Sequence, residues 1–407
     1  MQVKINRLGH GGDGIADGPI YAARTLPGET VQGKLQGTRL GDVKIIVPSA
    51  HRIKPQCPAY NRCGGCALHH VAGDYVTDWK ARVVRDTLTT QGVPAPLRHV
   101  HTSPRNSRRR AKLTGKRTKS GAVVGFHGPR SDVVHDITGC LTLAPAIMGL
   151  IPHLQDFTTQ YASRKGTLAF WVLDTQTGLD VAIESLPDDK PPTFADMAQW
   201  AQSAGIARLS QGDDVVVTFT PPQLTFGSTS VTPPPMGVSQ ATVPAEQFMQ
   251  TAVADAVLGA RSVVDLFSGC GTFGLSLAQG MAVHAVEGAP DLLAAVDAAV
   301  RYGCGLKPVT HEHRDLFRNP LLATELAGFD AVVIDPPRAG AAAQVAEIAQ
   351  SPVPRVAMVS CNPITFARDA QVLVSGGYDV TWVDVVDQFR WSPHIEIVAQ
   401  FVKDRKP

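Results

Sequence analysis

From Gly237 onward the chain repeats one pattern: a short β-branched or apolar run, a helix-compatible stretch, then another such run. The runs are Ser262 to Phe267, Met281 to Glu287, Pro308 to His311, Ala331 to Asp335, Val356 to Ser360, Val380 to Val386 and Ile395 to Phe401. Strand and helix alternating in this way imply a doubly wound, mainly parallel, seven-stranded sheet, because a parallel connection needs a crossover long enough to hold a helix. Only a loop separates the last two runs, so they are expected to form an antiparallel hairpin at one edge.

In such sheets ligands bind beyond the carboxyl ends of the strands, and the motifs fall there. Asp265-Leu-Phe-Ser-Gly269-Cys-Gly271-Thr-Phe-Gly274 follows the first strand, and Glu287 ends the second, 22 residues after Asp265. The glycines allow close backbone approach to a nucleoside cofactor, and an acid at that distance suits ribose hydroxyls. Gly269-x-Gly271-x-x-Gly274 also matches a dinucleotide fingerprint. Two further acids weigh against a pyrophosphate: Asp315 after the third strand and Asp335, in Asp335-Pro336-Pro337-Arg338, at the end of the fourth. Any one of the four has an ordinary role as a helix N-cap. Together they suit a cationic sulfonium better, which favours S-adenosylmethionine over NAD.

Cys361, in Ser360-Cys361-Asn362-Pro363, falls at the end of the fifth strand on the same edge. Alone, a cysteine is most often a small core residue. Here it is a candidate nucleophile, and working near neutral pH it needs its thiolate favoured by a basic channel or by the N-terminus of the next helix. Glu396, in His394-Ile-Glu396-Ile, interrupts an apolar alternation. It reads either as an edge-strand residue facing water or as a buried functional acid.

The net charge of +2 hides an asymmetry. Residues 1–130 carry 22 Lys+Arg against 7 Asp+Glu, leaving 16 against 29 for residues 131–407. The densest stretch, Arg105 to Lys119, is either a solvated face or a polyanion-binding surface, and the imbalance of the whole segment points to nucleic acid. Residues 1–52 read as a small, OB-like β-barrel, and a cysteine run follows, Cys57-x5-Cys63-x2-Cys66. With Cys140, the remaining cysteine outside the C-terminal part, it predicts a four-thiolate metal site, zinc or iron–sulfur. An amphipathic helix is expected from Asp74 through Leu88, then a basic hairpin over Lys112–Phe126, with further strands at Thr167–Leu173 and Leu179–Glu184. The proline-rich stretch Pro221 to Gly237 marks a boundary, giving units 1–52, 53–236 (α+β) and 237–407. No run approaches the ~18 apolar residues of a membrane span, and the start lacks a signal peptide's apolar core. A cytoplasmic protein is expected, with no membrane partner and, by default, a monomer.

Taken together, these motifs resemble the RNA uracil-C5 methyltransferase family, which makes 5-methyluridine in transfer and ribosomal RNA. The resemblance spans nearly the whole chain: a TRAM-like start ending in Leu26-Pro-Gly-Glu29, the cysteine run, Asp265-Leu-Phe, Asp335-Pro-Pro-Arg338, Ser360-Cys361-Asn362-Pro363 and His394-Ile-Glu396. It implies a class I methyltransferase domain, a 4Fe-4S cluster on Cys57, Cys63, Cys66 and Cys140, and methyl-donor contacts from Gln240, Phe267, Thr272, Glu287, Asp315 and Asp335. Cys361 is then the nucleophile toward uracil C6 and Glu396 the base. The chain departs from the family in a shortened TRAM-like segment and in Thr272, where relatives often carry asparagine. Two rivals are an NAD-dependent oxidoreductase and a noncatalytic RNA-binding metal protein. Amino-group methyltransferases fit less well, since Arg338 stands where their motif ends in an aromatic residue.

Overall fold

The computed structural model describes residues 1–184, 186 and 191–403. The expected sheet is present in the C-terminal part. In spatial order it runs Val309–His313, Ala282–Glu287, Ser262–Leu266, Ala331–Ile334, Arg355–Ser360, Glu396–Val402, Asp379–Asp387 and Leu97–Thr102. The first five strands are mutually parallel. Glu396–Val402 lies antiparallel to both Arg355–Ser360 and Asp379–Asp387.

Two expectations are corrected here. The sheet has eight strands, not seven, and the terminal hairpin is not at its edge, because Leu97–Thr102 pairs in parallel with Asp379–Asp387 and covers it. The cause is the preceding helix, Gly73–Thr90. Its buried Val76, Trp79, Val83, Val84 and Leu88 join the same core as Val385, Ile397 and Phe401 of the sheet, so the chain is delivered to the open edge. Glu396 lies on an interior strand for a different reason: Glu396–Val402 itself sits between Arg355–Ser360 and Asp379–Asp387.

The strands are buried on both faces, as parallel strands require. Val264 and Leu266 face one core while Val263 of the same strand faces the other. Helices Pro290–Tyr302, Ala342–Gln350 and Pro363–Ser375 supply the crossovers. The last begins by design of the motif: the Asn362 side chain accepts from the Ile364 amide at 3.1 Å, and Pro363 occupies the first turn.

At the N-terminus six short strands form one sheet ordered Gln2–Lys4, Thr30–Gln36, Arg39–Val47, Ile20–Ala22, Gly14–Ala16, Arg7–Leu8. The chain from Lys4 to Arg7 joins its two ends, and Ile5, Val31 and Leu40 fill the interior. A separate seven-stranded sheet includes the predicted basic hairpin, Arg110–Arg117 with Ala122–His127. Helix Pro145–Tyr161 packs Ile147, Leu150, Leu154 and Phe157 on it. The proline-rich boundary is more than a linker: Leu224–Phe226 and Thr229–Val231 form a hairpin whose Leu224, Phe226 and Val231 pack against Leu275 and Val296.

Candidate active site

The carboxyl ends of the strands open into one cavity of about 850 Å³. Gln240, Phe267, Thr272, Glu287, Asp315, Asp335, Cys361 and Glu396, which belong to separate elements, all line it. Asp265 does not. Its side chain is buried beneath the glycine turn, where Oδ2 accepts from the Gly274 amide at 2.8 Å, so it braces the loop instead of facing a ligand. Gly274 is obligatory there, since a Cβ would come within 2.7 Å of the same oxygen.

The turn itself is strained. Phe267 adopts φ +58°, a left-handed conformation that a bulky side chain reaches at a cost of about 1–3 kcal/mol. It thereby places its ring against the cavity and 5.3 Å from that of Phe317. Glu287 fastens the turn from the next strand: Oε2 accepts from the Gly269 amide at 3.0 Å, while Oε1 accepts from the Gly288 and Ala289 amides. Two strand ends are thus held in register around the crevice.

Register also brings the two reactive candidates together. Ser360 pairs with Ile397, so one step further Cys361 faces Glu396 across adjacent antiparallel strands. Burial dominates their ionisation. It pushes the Glu396 carboxyl up to about 8, helped by the nearby charge of Asp335 and opposed by a hydrogen bond from Gln388. Burial pushes Asp335 up to about 7. The Cys361 thiol rises to about 11 through burial, then Glu396 and Asp335, with Arg338 opposing. The start of helix Pro363–Ser375 does not offset this, contrary to the expectation of a thiolate favoured by its surroundings. Burial holds Glu396 and Asp335 toward their protonated forms, and a cation bound beside them would favour their ionisation.

The basic run does not form a single solvated face. Arg109 is buried and pairs with Glu246 at 2.5 Å. Arg108 and Arg110, its neighbours, turn the other way into the cavity, as strand alternation dictates. Lys112 pairs with Glu184, while Arg105 and Lys119 are exposed.

Cys57, Cys63, Cys66 and Cys140 share a second, smaller cavity of about 30 Å³. Burial raises the thiols of Cys57 and Cys63, and that of Cys66 to about 12. Protein donors already reach the sulfurs: the Gly65 amide to Cys63 Sγ at 3.3 Å, the Thr142 amide to Cys140 Sγ at 3.5 Å, and the Thr142 hydroxyl beside Cys66 Sγ at 3.6 Å. Among the described residues, no three His, Cys, Asp or Glu side chains converge closely enough for a single ion. Gly65 and Arg108 line both cavities, so the cysteine loop forms part of the wall of the larger one.

Two residues around the site, one of them outside the cavity wall, carried no readable sequence signal. Gln388 is buried and touches both Gln240 and the Ala241 amide. Lys80, fully buried, reaches from helix Gly73–Thr90 to Asp387 at 2.6 Å and to the His394 carbonyl at 2.8 Å, and so holds the loop before Glu396. Each contact joins segments more than a hundred residues apart, beyond any local pattern.

Comparison with known proteins agrees with this geometry. Residues 306–403 match the tRNA (Uracil-5-)-methyltransferase family model. An uncharacterized RNA methyltransferase of Rhizobium meliloti is 40% identical, covering 98% of this chain and 99% of its own. The 23S rRNA (uracil(1939)-C(5))-methyltransferase of Chromohalobacter salexigens is 30% identical over 99% of this chain and 89% of its own. Among solved structures, Pyrococcus abyssi tRNA (uracil-54, C5)-methyltransferase, in complex with S-adenosyl-L-homocysteine, superposes with a TM-score of 0.76. At 22% identity, and covering 99% of both chains, that likeness shows a shared fold. The chain belongs to the RNA uracil-C5 methyltransferase family.

Proposed function

We propose that the protein methylates C5 of a uridine in structured RNA, ribosomal or transfer, using S-adenosylmethionine and a transient bond between Cys361 and uracil C6. The observation that carries this reading is the placement of Cys361 opposite Glu396 in a cavity also lined by Glu287, Asp315 and Asp335. When bound, S-adenosylmethionine supplies an electrophilic methyl group on a cationic sulfonium. Gln240, Phe267, Thr272, Glu287, Asp315 and Asp335 are proposed to hold it.

The chain's own residues supply the rest. Uracil C5 is a poor nucleophile until Cys361 sulfur adds at C6 and pushes the ring electrons toward C5 and the C4 oxygen. After methylation, C5 carries both the methyl group and its original hydrogen. Glu396, in the carboxylate form that is the minor one near neutral pH for a group at about 8, takes that proton, the C5–C6 double bond re-forms and Cys361 leaves as thiolate. The attacking species is the thiolate, and its proton passes to solvent water before attack, since the free thiol sits near 11. An attack on the face of the ring requires an unstacked base, so the target lies in a loop or is flipped out. Exposed Arg105 and Lys119 and the positive balance of residues 1–130 support RNA as partner.

The domain reading is a TRAM-like unit at 1–52, a central RNA-binding unit at 53–236 and the methyltransferase at 237–407. A 4Fe-4S cluster is proposed on Cys57, Cys63, Cys66 and Cys140. What supports a common site is that the four thiols line one cavity. No helix among the described residues is long and apolar enough to cross a membrane.

The test is a 5-fluorouridine-substituted RNA, in which fluorine cannot leave as a proton and the adduct persists. Wild type with S-adenosylmethionine should yield a protein–RNA band stable to denaturant, and Cys361→Ala none. An undiminished band in Cys361→Ala would remove this residue from the mechanism.

A further inference from the structure

His69 follows Cys66 by three residues and is 2% exposed, yet neither ring nitrogen has a hydrogen-bond partner among the described residues. Its own backbone carbonyl adjoins the ring without closing a hydrogen bond. The neighbouring Tyr60 hydroxyl is committed elsewhere, to the Ala67 carbonyl at 2.7 Å and to His70 Nδ1 at 2.6 Å. A buried imidazole left in this state marks a missing partner. The cavity that His69 lines is the one shared by Cys57, Cys63, Cys66 and Cys140. A metal group held there by thiolates brings sulfur acceptors, and a neutral imidazole carries one N–H to meet them.

The face of the same ring stacks on Trp391, with centroids 4.0 Å apart and planes at 18°. Trp391 adopts φ +62°, which a bulky residue keeps only where its surroundings fix it. The Ala67 and Leu68 amides do so from the backbone side, donating to the Trp391 carbonyl at 2.9 and 2.8 Å. The segment after Cys66 therefore grips Trp391 twice, through its amides and through the His69 ring. Trp391 lies in the loop between strands Asp379–Asp387 and Glu396–Val402, and Ser392, Pro393 and His394 of that loop line the large cavity on the way to Glu396.

We infer that His69 is a positioning residue that couples the two cavities: a ring nitrogen donates to the metal group on the four cysteines, and the ring face, through Trp391, fixes the loop that ends at Glu396. Occupancy of the cysteine site is thereby carried to the base of the reaction. Cys361 follows a different strand, Arg355–Ser360, and precedes a helix with its own cap, so a displaced loop disturbs the base more than the nucleophile. Weakening the coupling slows removal of the C5 proton and leaves the attack at C6 in place.

The inference rests on the proposed metal site and C5 methylation, and each fails separately in the experiment. Iron, sulfide and zinc are first counted in anaerobically purified wild type; protein that holds no metal, even after reconstitution, refutes the site and the coupling with it. His69→Phe keeps a flat ring against Trp391 and removes both nitrogens. It should release its metal to a chelator roughly tenfold faster than wild type or more, as loss of a hydrogen bond to a metal's ligands does, and release at the wild-type rate would overturn the proposal. His69→Leu removes the stack as well. With S-adenosylmethionine and total RNA from cells lacking this gene, it should hold several-fold more RNA-linked protein at steady state than wild type, with unchanged affinity for S-adenosyl-L-homocysteine. An RNA-linked fraction no higher than in wild type would overturn the coupling. If His69→Leu does not fold, chelator-treated wild type serves in its place, with the same two outcomes. Wild type that methylates no RNA refutes the reaction, while the chelator comparison still decides the role of the His69 nitrogens.

Discussion

Replacing Glu396 with glutamine should make the protein more stable as the pH rises, even as it damages catalysis. The carboxyl sits near 8 in the fold, against an ordinary value of 4.5. Between those two values the unfolded chain releases this proton while the folded chain keeps it. The unfolded state then binds fewer protons, so stability falls with rising pH across that window and levels off above about pH 8. Each pKa unit is worth about 1.4 kcal/mol. The full shift corresponds to an upper limit of about 5 kcal/mol, and relaxation and water in the cavity reduce it to a few. Glutamine is nearly isosteric and never ionises, and its carbonyl can still accept from Gln388. Urea denaturation of wild type and Glu396→Gln from pH 4.5 to 8.5 should give curves that meet at the acid end and diverge by roughly 2–4 kcal/mol at the alkaline end. Curves that run parallel would show that Glu396 is not held protonated by its surroundings. In the same variant, slow removal of the C5 proton should accumulate RNA-linked protein after methylation, and normal turnover would assign the base elsewhere.

Lys80→Met should cost about 3–5 kcal/mol, because it leaves Asp387 buried and unpaired; denaturation at neutral pH measures it, and a cost below 1 kcal/mol would show that water replaces the ammonium. Asn362→Ala removes the cap of the helix that follows Cys361 and should lose about 1 kcal/mol by the same assay, with a lower rate of fluorouridine adduct formation. Anaerobic purification should give a brown protein containing iron and sulfide, with the colour lost in Cys66→Ser; colourless protein containing zinc would reverse that assignment.

Much of the methyltransferase half was readable in advance because its signals are local. Periodicity marks each strand, a glycine turn must follow the first, and Asn362-Pro363 is a local helix-start signal. Parallel strands separated by crossover helices place their carboxyl ends on one edge, so the residues after each strand converge without any long-range information. Cys361, Asp335 and Glu287 fell into the cavity for that reason.

What the sequence left open depended on contacts between distant segments. The strand Leu97–Thr102 has no local mark of the sheet it joins; the apolar stripe of helix Gly73–Thr90 carries it there. Glu396–Val402 inserts between Arg355–Ser360 and Asp379–Asp387, which puts Glu396 on an interior strand, and its burial decides its protonation. Asp265 looked like its fellow acids, but only the fold shows that it braces the turn. The cysteines were individually visible, whereas their shared cavity and its common wall with the larger one are tertiary facts. Residue type and spacing thus determined which groups the strand ends carry. Packing decided which of them are buried and which face the cavity.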